Sequence, residues 1–150
     1  MPAKHSVLFL CTGNSCRSQM AEGWARHLHG DVLEPYSAGV RAHGLNPHAV
    51  RVMAEAGVDI SGQTSKTVDA LANVAFDLVV TVCDHARETC PVLPGAKRVL
   101  HAGFDDPPRL AETAASEAEA LDIYRRVRDE IRDFIRGLPV LLEHPAGGNT

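Results

Sequence analysis

The stretch CTGNSCRS, residues 11–18, constrains the fold more than any other part of the chain. It follows the apolar run Val7, Leu8, Phe9, Leu10 and leads directly into Met20, Ala21, Trp24, Ala25 and Leu28, which recur on one face at helical spacing. A strand that passes through a glycine-bearing turn straight into a helix is the first half of a βαβ unit. Its presence predicts a parallel sheet covered by helices.

The remaining sequence keeps that alternation of strand and helix. Ser6 to Leu10 reads as the first strand, Val32 to Ala38 as the second, Phe76 to Val82 as a central strand buried on both faces, and Lys97 to His101 as the fourth. Pro35 has no N–H to donate, so the second strand belongs at a sheet edge. Asn46 and Pro47 form the N-cap and first turn of a helix that carries Val50, Met53 and Ala54 and closes at Gly57. Val68, Leu71, Ala72 and Ala75 predict a shorter helix after Ser65, and a loop with Asp105, Asp106, Pro107 and Pro108 follows the fourth strand. The last helix opens with a Ser116–Glu119 capping box and turns Ile123, Val127, Ile131, Phe134 and Ile135 inward, leaving its charged residues as a solvated outer face. The expectation is one α/β domain over residues 1–143, a four-stranded parallel sheet flanked by helices, with a disordered tail at 144–150. A ligand crevice belongs at the carboxyl ends of its strands.

Bulk properties narrow the function. A chain of 150 residues buries a real core without disulfides or structural metals. Its net charge of −4, with both signs interspersed, gives no basic stripe, so no nucleic-acid partner is expected. No apolar stretch reaches the roughly 18–20 residues of a membrane span, and the opening MPAKHSVLFLC lacks the shape of a signal peptide. These features predict a cytoplasmic protein with no membrane association, taken as a monomer. Four cysteines in a reducing compartment are buried, metal-bound or catalytic rather than cross-linked. Zinc is disfavoured by the lack of a C-x2-C pair and by Arg17 within the loop, and the histidines form no ligand set, so neither a metal nor a cofactor is expected.

Cys11 ends the first strand and Arg17 stands at the mouth of the helix, a Cys-x5-Arg spacing. In such a turn the backbone N–H groups of Thr12, Gly13, Asn14, Ser15 and Cys16 can converge as a nest. The helix N-terminus adds positive potential and Arg17 offers a planar fork of donors. A tetrahedral oxyanion fits that field. The same field stabilises a thiolate, which makes Cys11 a nucleophile aimed at the anion's central atom. Ser18 can hydrogen-bond the thiolate, Gly13 lets the loop turn tightly, and Asn14 pins it through side-chain bonds. Cys16 reads as a small loop thiol without a chemical step. The string Thr12-Gly13-Asn14-Ser15 also resembles a flavin-phosphate loop, but a flavin carrier needs ring-stacking aromatics, and Trp24, Tyr36 and Tyr124 fall on helices or the edge strand.

The segment CTGNSCRSQMAEGW resembles the loop and first helix of thioredoxin-coupled arsenate reductases, which share their fold with low-molecular-weight tyrosine phosphatases. The likeness continues through DISGQTS, DLVVTVCDHARETCP and GFDDP and covers about residues 6–135. It implies a flavodoxin-like strand order 2-1-3-4 and reduction of arsenate to arsenite, with Cys11 as nucleophile and Arg17 as oxyanion ligand. Reduction requires a second thiol to attack the Cys11 sulfur, and Cys83, at the carboxyl end of a strand beside the first, lies on the same rim of the sheet. Cys90, in the polar segment CDHARETCP, can take over that disulfide and present it to thioredoxin. The resemblance implies the same order, Cys11 to Cys83 and then Cys83 to Cys90. Asp106, biased toward an extended backbone by Pro107, would be the general acid, while Asp105 reads as an ordinary turn residue.

Two departures qualify the likeness. In some relatives an Asn, a Glu, a Ser and an Asp hold potassium beneath the loop; Asn14, Glu22 and Ser37 match, but Lys66 stands at the Asp position. The substitution predicts an ammonium in place of the ion, paired with Glu22. A tyrosine phosphatase, the nearest enzymatic alternative, carries aromatics beside the acid, whereas Pro107, Pro108 and Arg109 follow Asp106 here.

Overall fold

The computed structural model describes residues 4–82 and 96–143. Cys83, Cys90 and the tail 144–150 lie outside the described residues, so the relay cysteines and the expected disorder of the tail are not placed.

Strand β1 (His5–Cys11) is the hub of the fold. Its alternating side chains divide between two apolar clusters: Val7, Phe9 and Cys11 enter the larger, Leu8 and Leu10 the smaller. Because β1 is buried on both faces it can only be internal, and it pairs in parallel with β2 (Leu33–Gly39) on one side and β3 (Leu78–Thr81) on the other. Strand β4 (Val99–His101) completes the order β2-β1-β3-β4. Pro35 lies on the edge strand, as its missing donor requires. The register aligns Cys11 with Gly39 and Leu10 with Thr81, so the ends of three strands meet at one rim.

The larger core lies between the sheet and helices α1 (Arg17–His29), α2 (Pro47–Glu55) and α4 (Glu117–Arg136). Asn46 caps α2 through Oδ1, which accepts from His48 N–H (2.8 Å) and Ala49 N–H (3.2 Å). Ser116 Oγ likewise accepts from Glu119 N–H at 3.1 Å to start α4. Trp24 Nε1 donates to Arg128 O at 3.1 Å and ties α1 to α4.

Five expectations need correction. The inward face of α2 is Ala49, Val52 and Met53, whereas Val50 is half-buried and Ala54 exposed. The inward face of α4 is Ala120, Leu121, Tyr124, Val127, Ile131 and Ile135; Ile123 is only half-buried, because the stripe runs through Tyr124, about 100° further round the helix, and Phe134 is half-buried against the core. The segment after Ser65 forms a single 3-10 turn, Val68–Leu71, rather than an α-helix, and with Val74 and Phe76 it covers the smaller core. The Asp105–Pro108 loop is shorter than expected: Pro107 and Pro108 occupy first-turn positions, where a missing N–H costs nothing, and begin a short helix α3 (Pro107–Ala111) with Asp106 at its N-cap. After Gly137 ends α4, a further helix α5 (Leu138–Glu143) buries Leu138 against the larger core. Among the described residues no helix is long and apolar enough to cross a membrane.

Candidate active site

The loop between β1 and α1 is held from outside by its carbonyls. Thr12 O accepts from Arg41 N–H (3.0 Å), Gly13 O from His43 N–H (2.9 Å) and Ser15 O from Asn46 N–H (2.9 Å). Asn14 O accepts from Gln19 Nε2 at 3.1 Å, and Cys16 O from Met20 N–H at 2.9 Å. With every carbonyl turned outward, the amides of Gly13, Asn14, Ser15 and Cys16 are left with no protein acceptor among the described residues. Helix α1 adds to this set of donors, since its N-cap residue Cys16 makes no side-chain capping bond. Amides gathered this way, at a helix N-terminus, favour an anionic partner.

The left-handed position of the loop is Asn14, at φ 48°, not Gly13. Asparagine tolerates that region better than most side chains, and here its amide makes the strain useful. Buried Asn14 accepts at Oδ1 from Lys66 N–H (2.8 Å) and Gln19 Nε2 (3.0 Å), and donates through Nδ2 to Ser18 Oγ (2.9 Å). Ser18 Oγ in turn lies 2.8 Å from Cys11 Sγ. Asn14 and Ser18 therefore act from beneath the loop and do not line the cavity above it.

That cavity, of about 240 Å³, opens over Cys11 and is walled by Thr12, Gly13, Ser15, Cys16 and Arg17 from the loop. Asp106 and Pro108, from the start of α3, and His43 complete the lining. Arg17 is buried, and its Nη1 donates to Phe104 O at 3.3 Å while Nε lies 3.8 Å from Asp106 Oδ1. The guanidinium thus fixes the acid-bearing segment as well as facing the cavity. Asp105 points elsewhere, to Arg126 Nη2 at 3.0 Å. The expected nucleophile, oxyanion ligand and acid come together on one rim, and residues 6–144 match the family described as low molecular weight phosphotyrosine protein phosphatase.

The chain belongs to that family. Within it, the arsenate reductase of Halalkalibacterium halodurans is 53% identical over 133 residues, 89% of this chain and 94% of that protein. The arsenate reductase of Bacillus subtilis strain 168 is 54% identical over 130 residues, 87% of this chain and 91% of its own. A solved structure of an arsenate reductase in the phosphate binding state superposes with a TM-score of 0.77 at 29% identity, covering 92% of this chain and 98% of that one.

Cys16, the second thiol of this phosphatase-family loop, is pushed well above the ordinary thiol range by burial first, then by the negative charges of Asp106 and Cys11, with Arg17 opposing. It stays a neutral wall of the cavity. Tyr124 on α4 is raised to about 12, again chiefly by burial; its hydroxyl accepts from Asn46 Nδ2 at 3.1 Å.

The potassium arrangement of some family members does not fit these residues. Lys66 Nζ donates to Ser37 O (3.1 Å) and Thr64 O (2.7 Å), occupying carbonyls beneath the loop. The expected partner is different, however: Glu22 pairs with Arg26 Nη2 at 2.7 Å and accepts from Ser37 Oγ at 2.5 Å. The carboxylate already has its cation one helical turn away. Among the described residues there is no cluster of metal-ligating side chains.

Two residues at the loop and cavity carry no signal of a site in the sequence. Gly39 lies under the loop, where a Cβ would come within 2.7 Å of Thr12 O and 2.8 Å of Asn14 N. A glycine ending a strand signals such close approach, but the partner it approaches is set by the β1–β2 register. His43 lines the cavity, although its position in the sequence carried no motif.

Proposed function

We propose that this protein reduces arsenate to arsenite through a relay of three cysteines, working as a cytoplasmic monomer whose oxidised form is restored by thioredoxin. The observation that carries this reading is the outward engagement of the loop carbonyls, which leaves amides, Arg17 and Asp106 around Cys11 as a site for a tetrahedral oxyanion. The names of the relatives supply the choice of oxyanion.

In the proposed reaction the Cys11 thiolate attacks arsenic(V), and Asp106 protonates the departing oxygen, which leaves as water. The Cys83 thiolate then attacks the Cys11 sulfur. The S–As electron pair passes to arsenic, arsenite departs as arsenic(III), and a Cys11–Cys83 disulfide remains. Cys90 attacks Cys83, releasing Cys11 as a thiolate, and thioredoxin reduces the resulting Cys83–Cys90 disulfide. Cys83 and Cys90 enter through their sequence motif alone.

A tyrosine phosphatase would use the same loop with water as the second reactant. Among the described residues, the cavity walls hold no Phe, Tyr or Trp to clasp a phenyl ring. The test supplies arsenate, thioredoxin, thioredoxin reductase and NADPH and follows NADPH consumption. Cys11→Ser, Cys83→Ser and Cys90→Ser each abolish multiple turnovers, while Cys90→Ser still releases about one arsenite per enzyme. Full steady-state activity in Cys90→Ser removes the third step.

A further inference from the structure

Gly13 is not explained by the conformation of the loop. Its φ lies outside the left-handed region, so the backbone alone does not demand a glycine there. What a side chain at this position would meet is an imidazole: a Cβ would lie 2.6 Å from His43 Nδ1, 3.1 Å from its Cγ and 3.3 Å from its Cε1. The ring rests directly on the Gly13 α-carbon and forms the cavity wall there.

The seat is also fixed from behind. His43 N–H donates to Gly13 O at 2.9 Å, and Arg41 N–H to Thr12 O at 3.0 Å. Gly44, at φ 90°, turns the chain away and donates its N–H to Ser65 Oγ at 3.1 Å. A backbone held this firmly carries a side chain whose ring nitrogens have no protein hydrogen-bond partner among the described residues. An imidazole always has at least one N–H to offer, whichever its protonation state. Cys11, Cys16, Arg17 and Asp106 are the ionisable or charged groups of the loop and of the α3 side with which it shares the cavity.

We infer that His43 is a substrate-contacting residue, which donates from its ring to an oxygen of the bound tetrahedral oxyanion, and that Gly13 exists to seat it. This rests on the cavity being an oxyanion site, as proposed above. The loop amides and Arg17 grip the anion from its base; His43 adds a contact at the mouth and so sets affinity rather than the chemical step.

Binding of inorganic phosphate, measured by titration calorimetry on the full chain, tests the contact without any redox turnover. His43→Ala should weaken phosphate about fivefold, equivalent to ~1 kcal/mol, and raise the KM for arsenate by a similar factor with kcat within about twofold. His43→Gln, which restores an N–H donor, should recover most of the affinity. Gly13→Ala should weaken phosphate by a similar factor in the wild-type background, by displacing the ring, and much less in His43→Ala, where the added methyl group has room. Wild-type affinity in His43→Ala overturns the contact, and an equal Gly13→Ala penalty in both backgrounds overturns the seating role. Failure of the wild-type chain to bind phosphate at all removes the oxyanion reading itself, a result distinguishable from either.

Discussion

The hydroxyl of Ser18 stands 2.8 Å from the sulfur of Cys11 and simultaneously accepts a hydrogen bond from Asn14 Nδ2 at 2.9 Å. An amide nitrogen can only donate, so it occupies a lone pair of the hydroxyl and leaves the hydroxyl proton for the sulfur. A thiolate at Cys11 can only accept. The direction of both bonds is therefore set from Asn14 outward, and removing Ser18 removes a charge-assisted bond to a Cys11 thiolate. In Ser18→Ala, alkylation of Cys11 by iodoacetamide at neutral pH should slow about tenfold, as loss of a hydrogen bond to a charged group worth ~1.5 kcal/mol implies. Peptide mass spectrometry reads the rate, and an unchanged value would show that the hydroxyl donates elsewhere.

Gly39 is the floor of the loop. A methyl group there would press on backbone atoms, Thr12 O and Asn14 N, and on Arg41 O at 2.7 Å, none of which can rotate aside. Gly39→Ala should cost roughly 1–3 kcal/mol of stability, as overpacking commonly does. It should also weaken phosphate binding, because the loop must shift to admit the methyl group. Chemical denaturation and calorimetry together check this; a normal midpoint with normal binding would mean that the strand end yields instead.

Lys66 already places a cation beneath the loop, with Nζ on Ser37 O and Thr64 O. Melting temperature and turnover should therefore be the same in potassium as in a large organic cation. Lys66→Asp should instead become potassium-dependent, since it replaces a resident ammonium by a ligand. A strong potassium requirement in the wild-type protein would contradict the substitution.

Alkaline pH should unfold the protein through buried acids. Tyr124 is raised from 10.0 to about 12 by burial, and Cys16 is raised by burial and by the charges of Asp106 and Cys11. For a group whose folded value exceeds its unfolded one, the native state keeps the proton that the unfolded chain gives up. Stability is thus fully present below the unfolded value and falls as pH rises from there through the folded value. The loss should run from about pH 9 upward for Cys16 and over pH ~10–12 for Tyr124. Tyr124→Phe should lose about 1 kcal/mol at neutral pH, because Asn46 Nδ2 loses its acceptor. It should then show a shallower decline in melting temperature above pH ~10. Equal alkaline slopes in both proteins would remove Tyr124 as the cause.

The alternation of strand and helix was legible because each element repeats its own period: Val7 to Leu10 admits no solvent face, and Asn46-Pro47 and Ser116–Glu119 announce helix starts by local capping chemistry. Cys11, Arg17, Ser18 and Asp106 could be named for the same reason, since a loop, a helix mouth and an X-Pro step are local features. Local signals failed where two readings were equally good. The Pro107-Pro108 pair fits a loop or a first helical turn, and only packing of α3 on α4 chooses the turn.

What the sequence determined by itself is the set of short-range commitments: which runs are apolar on both sides, where helices begin, and that a cysteine and an arginine share one turn. Tertiary structure decided every relationship that joins distant segments. The register of β1 with β2 sets Gly39 beneath Asn14, the strap at residues 41–46 takes the loop carbonyls, and Arg26 reaches Glu22 before Lys66 does. The physical reason is range. Periodicity and capping act over a few bonds along the chain, whereas the distances that aim a donor at an anion arise only after the sheet has fixed where separate segments meet.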